Sequence, residues 1–215
     1  MINQPITLYS ANLIDSSTQI STSSNTVQIT FSEAKKVDAF LLKNTAITSV
    51  QIEYKASSQD VSWTQGASLT QTQKEDKFFV FPSQITAQIF KFTFNINADF
   101  ENISLVKKLL SLENILSSFT ADNTFKGSSY YLANGTLVCW QEFCKKKLNL
   151  NLSNIPQTLL EQLKSIFKAN TFLTYALFGD FDGYFAGEFA FKEPPAYQLN
   201  RKSALYSVNL TLLER

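Results

Sequence analysis

No histidine occurs among the 215 residues. The chain therefore cannot assemble a Ser-His-Asp or Cys-His pair, a His-ligated metal or an imidazole acid–base catalyst from its own side chains. What remains is carboxylate chemistry, in which one acid protonates a leaving group while a second serves as nucleophile or base, as in glycosidases. The acids available for it are Glu75-Asp76, Asp99 with Glu101, Asp180 with Asp182, and Glu188. All sit where turns and exposed strand faces place acids anyway. No catalytic residue is expected, and the chain reads as non-enzymatic.

Binding chemistry leaves equally few handles. Asp180-Phe181-Asp182-Gly183 has the alternating acids and glycine of a calcium loop, but no third ligand follows at Tyr184, so a hairpin turn is the simpler reading and no metal is expected. Cys139 and Cys144 are too few for a four-ligand zinc site. Five positions apart on a regular strand they point to opposite faces, so two unpaired thiols are expected. Neither G-x-G-x-x-G nor a G-K-[ST] ending occurs, so no phosphate loop and no cofactor are expected. Lys145-Lys146-Lys147 reads as a solvated strand edge guarded against unwanted pairing, with a phosphate or subunit contact as the alternative. Trp63 and Tyr54 could form a flat sugar-stacking platform, although an aromatic in a β domain is more often core. The ligand-binding residues are otherwise unknown. N-x-[ST] triplets begin at Asn102, Asn134, Asn151 and Asn209 and carry no argument.

The elements that would have to position these groups are strands. Phe is abundant, at 19 residues against 6 Gly and 5 Pro, and Phe, Val, Ile and Thr favour pleated, half-buried strands. Val27, Ile29 and Phe31 alternate with Gln28 and Thr30, and Val50, Ile52 and Tyr54 with Gln51 and Glu53. Phe90, Phe92, Phe94 and Ile96 line one face of a later strand, and residues 77–81 supply another apolar run. Short strands at this spacing predict a sandwich or jelly roll. Residues 103–112 fit either a last strand or a short connecting helix.

Beyond them the pattern changes. Residues 136–152 alternate as one long strand, with Val138, Trp140, Cys144, Leu148, Leu150 and Leu152 on one face. Leu159, Leu160, Leu163, Ile166 and Phe167 follow helical spacing after Pro156, predicting a helix over 156–168 with Lys164 and Lys168 near its C-terminal end. Residues 171–178 and 184–191 flank the Gly179–Gly183 turn as a hairpin, Pro194-Pro195 interrupts the ladder, and Tyr206, Val208, Leu210 and Leu212 mark a closing strand. The expected organisation is a β-sandwich over 1–110, a linker over 111–127 and a second β domain with one packed helix over 128–215.

With 44% hydrophobic and 17% charged residues the composition is globular rather than disordered. A formal charge of +1 gives no extended footprint for nucleic acid or an anionic membrane, and no apolar run reaches the roughly 18 residues of a span. No specific nucleic acid and no membrane insertion are expected. The N-terminus lacks the basic start and apolar core of a secretory signal, so the chain is expected to be made in a cytosol.

The stretch Leu8-Tyr9-Ser10-Ala11-Asn12-Leu13-Ile14-Asp15, then Val27–Phe31, Lys35–Phe40, Val50–Tyr54 and Asp60-Val61-Ser62-Trp63-Thr64, resembles the discoidin-like jelly rolls of some bacteriophage and phage-related tail proteins over roughly residues 1–106. From about Ser128 to Arg215, Trp140 in a long strand, the helix, the hairpin near Gly183 and the closing Tyr206–Glu214 segment resemble the tail-tube-like domain of phage distal-tail and baseplate proteins. The order departs from the common distal-tail layout, in which the tube-like domain comes first. The resemblance implies a structural component of a phage or phage-like tail, near the distal tail or baseplate. Such domains associate side by side into rings, so self-association, contacts with other tail proteins and a place in a virion tail assembled in the host cytoplasm are expected. The alternative is a carbohydrate-binding module without catalysis, its partner a cell-surface glycan.

Overall fold

The computed structural model describes residues 6–10, 12–42, 47–70, 77–96, 103–112, 116–168, 174–178 and 185–214. The protein is mainly β, with sandwich-like sheets and one helix among the described residues. It divides into two compact units. One comprises Thr7–Ser111 with Tyr175–Ala186, the other Met1–Ile6, Leu112–Thr174 and Gly187–Arg215. The division follows which strands pack together and is therefore not a single cut along the sequence.

In the first unit, β1 (Ile6–Tyr9), β2 (Gln19–Ser23), β3 (Thr26–Leu42), β4 (Ser49–Lys55), β5 (Thr64–Thr70), β6 (Lys77–Phe94), β7 (Ile103–Val106) and β8 (Lys108–Ser111) succeed one another. Six of them form a sheet in the order β2-β3-β6-β4-β5, with β7 also on β3; β8 pairs with β1. Residues 103–112 are thus two short strands and not a helix. The two runs expected at 77–81 and 90–96 are parts of one 18-residue strand. Its ladder to β3 is interrupted between the pairs Val37↔Ile85 and Ala39↔Val80. Pro82 lies in that stretch, where a residue without an N–H costs the ladder least.

The alternation seen in the sequence builds the core. Val27, Ile29, Phe31, Val50, Ile52, Phe90, Phe92 and Phe94 are all buried against one another. Phe40 is the aromatic hub, its ring 5.0 Å from Phe79, 5.5 Å from Phe81 and 5.7 Å from Phe92. Each such side chain contributes about 1.5–3 kcal/mol of burial. Ile96, expected on the same dry face, is 37% exposed because β6 ends at Phe94.

The second unit holds β9 (Leu116–Tyr131), β10 (Leu137–Ile155), α1 (Gln157–Lys168), β12 (Phe185–Phe191), β13 (Ala196–Asn200) and β14 (Leu205–Glu214); β11 (Thr174–Phe178) precedes β12. Register pairs Leu148 with Leu212, Leu150 with Leu210 and Leu152 with Val208, and all six side chains are at most 1% exposed. The helix contributes Leu160 and Leu163 to this core, packing on β14. Asn154, at φ 59, turns the chain from β10 into the helix, a left-handed conformation that asparagine tolerates.

Two expectations change here. The linker expected over 111–127 contains most of β9, a 16-residue strand paired with β10 from Leu116 to Tyr131. β13, which the Pro194-Pro195 interruption concealed, pairs with β14 along its whole length. The expected turn at Gly179–Gly183 lies outside the described residues.

Candidate interaction surfaces

β10 is a 19-residue strand, but β14 pairs with it only from Lys147 to Ile155. From Lys146 to Leu137 its only ladder among the described residues is with Asn123–Tyr131 of β9. That part is a two-stranded ribbon extending roughly 30 Å at about 3.3 Å per residue. A β-bulge between Gln141 and Phe143 interrupts its alternation. The strict parity that put Cys139 and Cys144 on opposite faces therefore does not hold across this strand. Their side chains, and that of Trp140, lie outside the described ones.

At its end, Leu132 donates its N–H to the Thr136 carbonyl at 2.9 Å, Gly135 donates to the Leu132 carbonyl at 2.8 Å, and Thr136 donates to Asn134 Oδ1 at 3.0 Å. Gly135 has φ 82, which glycine adopts without strain. Around this turn Tyr130 is 53% exposed, Tyr131 73%, Leu132 44% and Leu137 49%. No charged residue occurs between Ser128 and Leu137. The tip is an apolar, uncharged cluster presented on a narrow support. The sequence carried a signal for it in Asn134-Gly135 following Tyr130-Tyr131-Leu132, a dipeptide typical of tight hairpins.

Lys147 faces Asp122 of β9 on one side and Leu213 of β14 on the other. The triple-lysine segment is therefore not a sheet edge at Lys147; among the described strands β9 occupies that edge, because it adds its polar ladder outside β10. Lys145 and Lys147 are half-buried, and the Lys146 side chain lies outside the described ones.

The first unit presents a different surface. Tyr54 and Trp63 do not form a joint platform: Tyr54 packs on the core, 6.3 Å from the Phe90 ring, whereas Trp63 lies with Lys55 and Lys91 on the opposite face of the sheet. The Lys55 ammonium is 4.8 Å and that of Lys91 4.4 Å from the indole centroid. Lys91 also forms an ion pair with Glu53 directly across the ladder, each side chain 23% exposed. The preceding turn is fixed by Asp60, whose carboxylate accepts the Ser57 N–H at 2.9 Å.

The carboxylates singled out for catalysis are not brought into any described site. Glu75, Asp76, Asp99, Glu101, Asp180 and Asp182 lie outside the described residues, and Glu188 belongs to β12 with its side chain outside them. Among the described residues no three His, Cys, Asp or Glu side chains are grouped to hold a metal, and no helix is long and apolar enough to cross a membrane.

No known family matches the chain, and no curated protein does. Among solved structures, the family 32 carbohydrate-binding module from Streptococcus pneumoniae EndoD is similar at a TM-score of 0.30 and 13% identity, covering 41% of this chain and 70% of that one. Chitosan-binding module 1 from the chitosanase/glucanase of Paenibacillus sp. IK-5 is similar at 0.30 and 13%, covering 48% and 89%. Likenesses of this size carry no argument about what the chain binds.

Proposed function

We propose that the chain is a structural component of a phage or phage-like tail, in the distal tail or baseplate region, acting through ring assembly and protein–protein contacts and not through catalysis. The supporting observation is the β9–β10 ribbon. Two strands with no third among the described residues are marginally stable in water and leave unpaired backbone groups along both edges. Here that ribbon carries exposed Tyr130, Tyr131, Leu132 and Leu137 at its tip. A projecting apolar element that fits a different surface on the next copy makes a heterologous contact, and repetition of that contact closes a ring when the rotation permits. The place of action is then a virion tail assembled in the host cytoplasm. The test is proteomics of purified tail particles from the source cells: the chain present in several copies per particle supports the reading, and its absence from the particles rejects it.

A second reading, a carbohydrate-binding module without catalysis, is favoured by one observation: Trp63 on the solvent side of the first unit's sheet, beside an ammonium–carboxylate pair. Indole faces and paired polar groups are what saccharides use for stacking and hydrogen bonding. A glycan array probed with the full chain and with Trp63→Ala tests it. Binding lost in the variant supports this reading, and no binding by either protein rejects it.

A further inference from the structure

We infer that the Trp63 surface is a site for a carboxylated saccharide, one carrying uronate residues, with Trp63 as the stacking face and Lys55 as the carboxylate anchor. The inference rests on the second reading above and names its ligand class.

The register builds the surface. Gln28 of β3 pairs with Lys91 of β6, Lys91 with Glu53 of β4, and Glu53 with Gln65 of β5. Partners in antiparallel pairs share a face, and neighbouring strands lie about 4.8 Å apart. The four side chains therefore form a transverse polar row: amide, ammonium, carboxylate, amide. It offers donors and acceptors in alternation to a ligand rich in hydroxyl groups. Lys55 stands two residues along β4 from Glu53, on the same face, and Trp63 immediately precedes β5.

The charges within this group are not equivalent. Lys91 is committed to Glu53 while it also lies over the indole. Lys55 lies over the same ring, and among the described residues it has no carboxylate partner. The group formed by Glu53, Lys55 and Lys91 thus carries one uncompensated positive charge. An ammonium resting on an indole at a partly exposed site is weakly held. An incoming carboxylate offers Lys55 a charge-assisted hydrogen bond, which is the stronger interaction. Movement of Lys55 from ring to carboxylate frees its share of the indole for the apolar face of the sugar, while Lys91 stays over the ring beside Glu53. A neutral saccharide offers no such exchange, because it would strip the ammonium from the ring without replacing the interaction.

The full chain is to be titrated with oligogalacturonate and, separately, with neutral cello-oligosaccharide of equal length, by isothermal titration calorimetry at low and high salt. Wild type, Lys55→Gln and Trp63→Phe are compared, and circular dichroism verifies that each variant is folded. The expected result is binding of the uronate oligomer alone, weakened about tenfold in Lys55→Gln and by raised salt, with Trp63→Phe retaining part of the affinity. Equal binding of neutral and acidic oligomers, unaffected by Lys55→Gln, overturns the inference while leaving the saccharide reading standing. No binding of the uronate oligomer, together with no binding on the glycan array, overturns both.

Discussion

The Asp38 carboxylate accepts the backbone N–H of Lys108 at 2.8 Å, so a side chain of β3 holds the first residue of β8. The same carboxylate receives Gln84 Nε2 at 3.0 Å on each oxygen. Three donated hydrogen bonds to one half-buried charge tie β3, β6 and β8 together. Asp38→Ala leaves the Lys108 N–H without its partner and is expected to cost about 1–3 kcal/mol, the scale of hydrogen bonds to a charged group. Urea denaturation of the two proteins measures it; a loss below a few tenths of a kcal/mol contradicts the assignment.

Tyr9 lies close by and gives a pH signature. Only 3% exposed, with its ring 5.0 Å from Phe78, it has its pKa raised to about 12, first by burial and then by the charge of Asp38. Ionisation is therefore harder in the folded state than in the unfolded chain, where the group titrates near 10. Between these values the unfolded state has released the proton and the folded state retains it, so stability falls as pH rises. The contribution is intact below pH 10 and lost by about 12, amounting to roughly 2–3 kcal/mol for a shift of that size. The check is unfolding free energy against pH in wild type and Tyr9→Phe. The wild type is expected to fall more steeply through this window, and parallel curves would contradict the raised pKa.

Phe40 is fully buried and its ring is shared by Phe79, Phe81 and Phe92. Truncation to alanine removes the hub of that aromatic cluster, and an expected loss of about 3–5 kcal/mol follows from the cavity left behind. A smaller loss, near 1 kcal/mol in chemical denaturation, would show that the neighbouring rings collapse into the space.

Gly135 tests the ribbon turn separately from any assembly. A Cβ added there meets nothing within 4 Å, so its only penalty is the backbone at φ +82. Gly135→Ala is expected to cost about 1 kcal/mol locally. Amide exchange is expected to quicken at Leu132 and Gly135, whose N–H groups close the turn, while the protection of Leu148 and Leu150 in the sheet is unchanged. Unaltered exchange at Leu132 and Gly135 would contradict the turn geometry.

What the sequence made legible follows from how many faces each element buries. Leu160 and Leu163 belong to a strong helical stripe and were readable, as were Val27, Ile29, Phe90 and Phe92, which alternate with polar neighbours on a one-sided sheet. β9 was hidden because both its ends carry polar residues on successive positions, Ser117-Ser118 and Ser128-Ser129, all exposed, and such a stretch resembles a linker. β13 was hidden behind the Pro194-Pro195 interruption and, being exposed throughout, has no buried face to mark it. For the sites, Trp63 was visible as a residue type, but its separation from Tyr54 depends on which sheet face each occupies. Its two lysines come from different strands, Lys91 being distant in sequence, and only the register brings them together.

The role proposed for the β9–β10 tip is to join copies of the chain. Its most direct test is sedimentation velocity over a broad concentration range on wild type and on a variant with Tyr130, Tyr131, Leu132 and Leu137 each changed to serine. The predicted result is a discrete closed oligomer for wild type and a folded monomer, with unchanged far-UV circular dichroism, for the variant. A wild type that stays monomeric throughout, or a variant that assembles as wild type does, would contradict it.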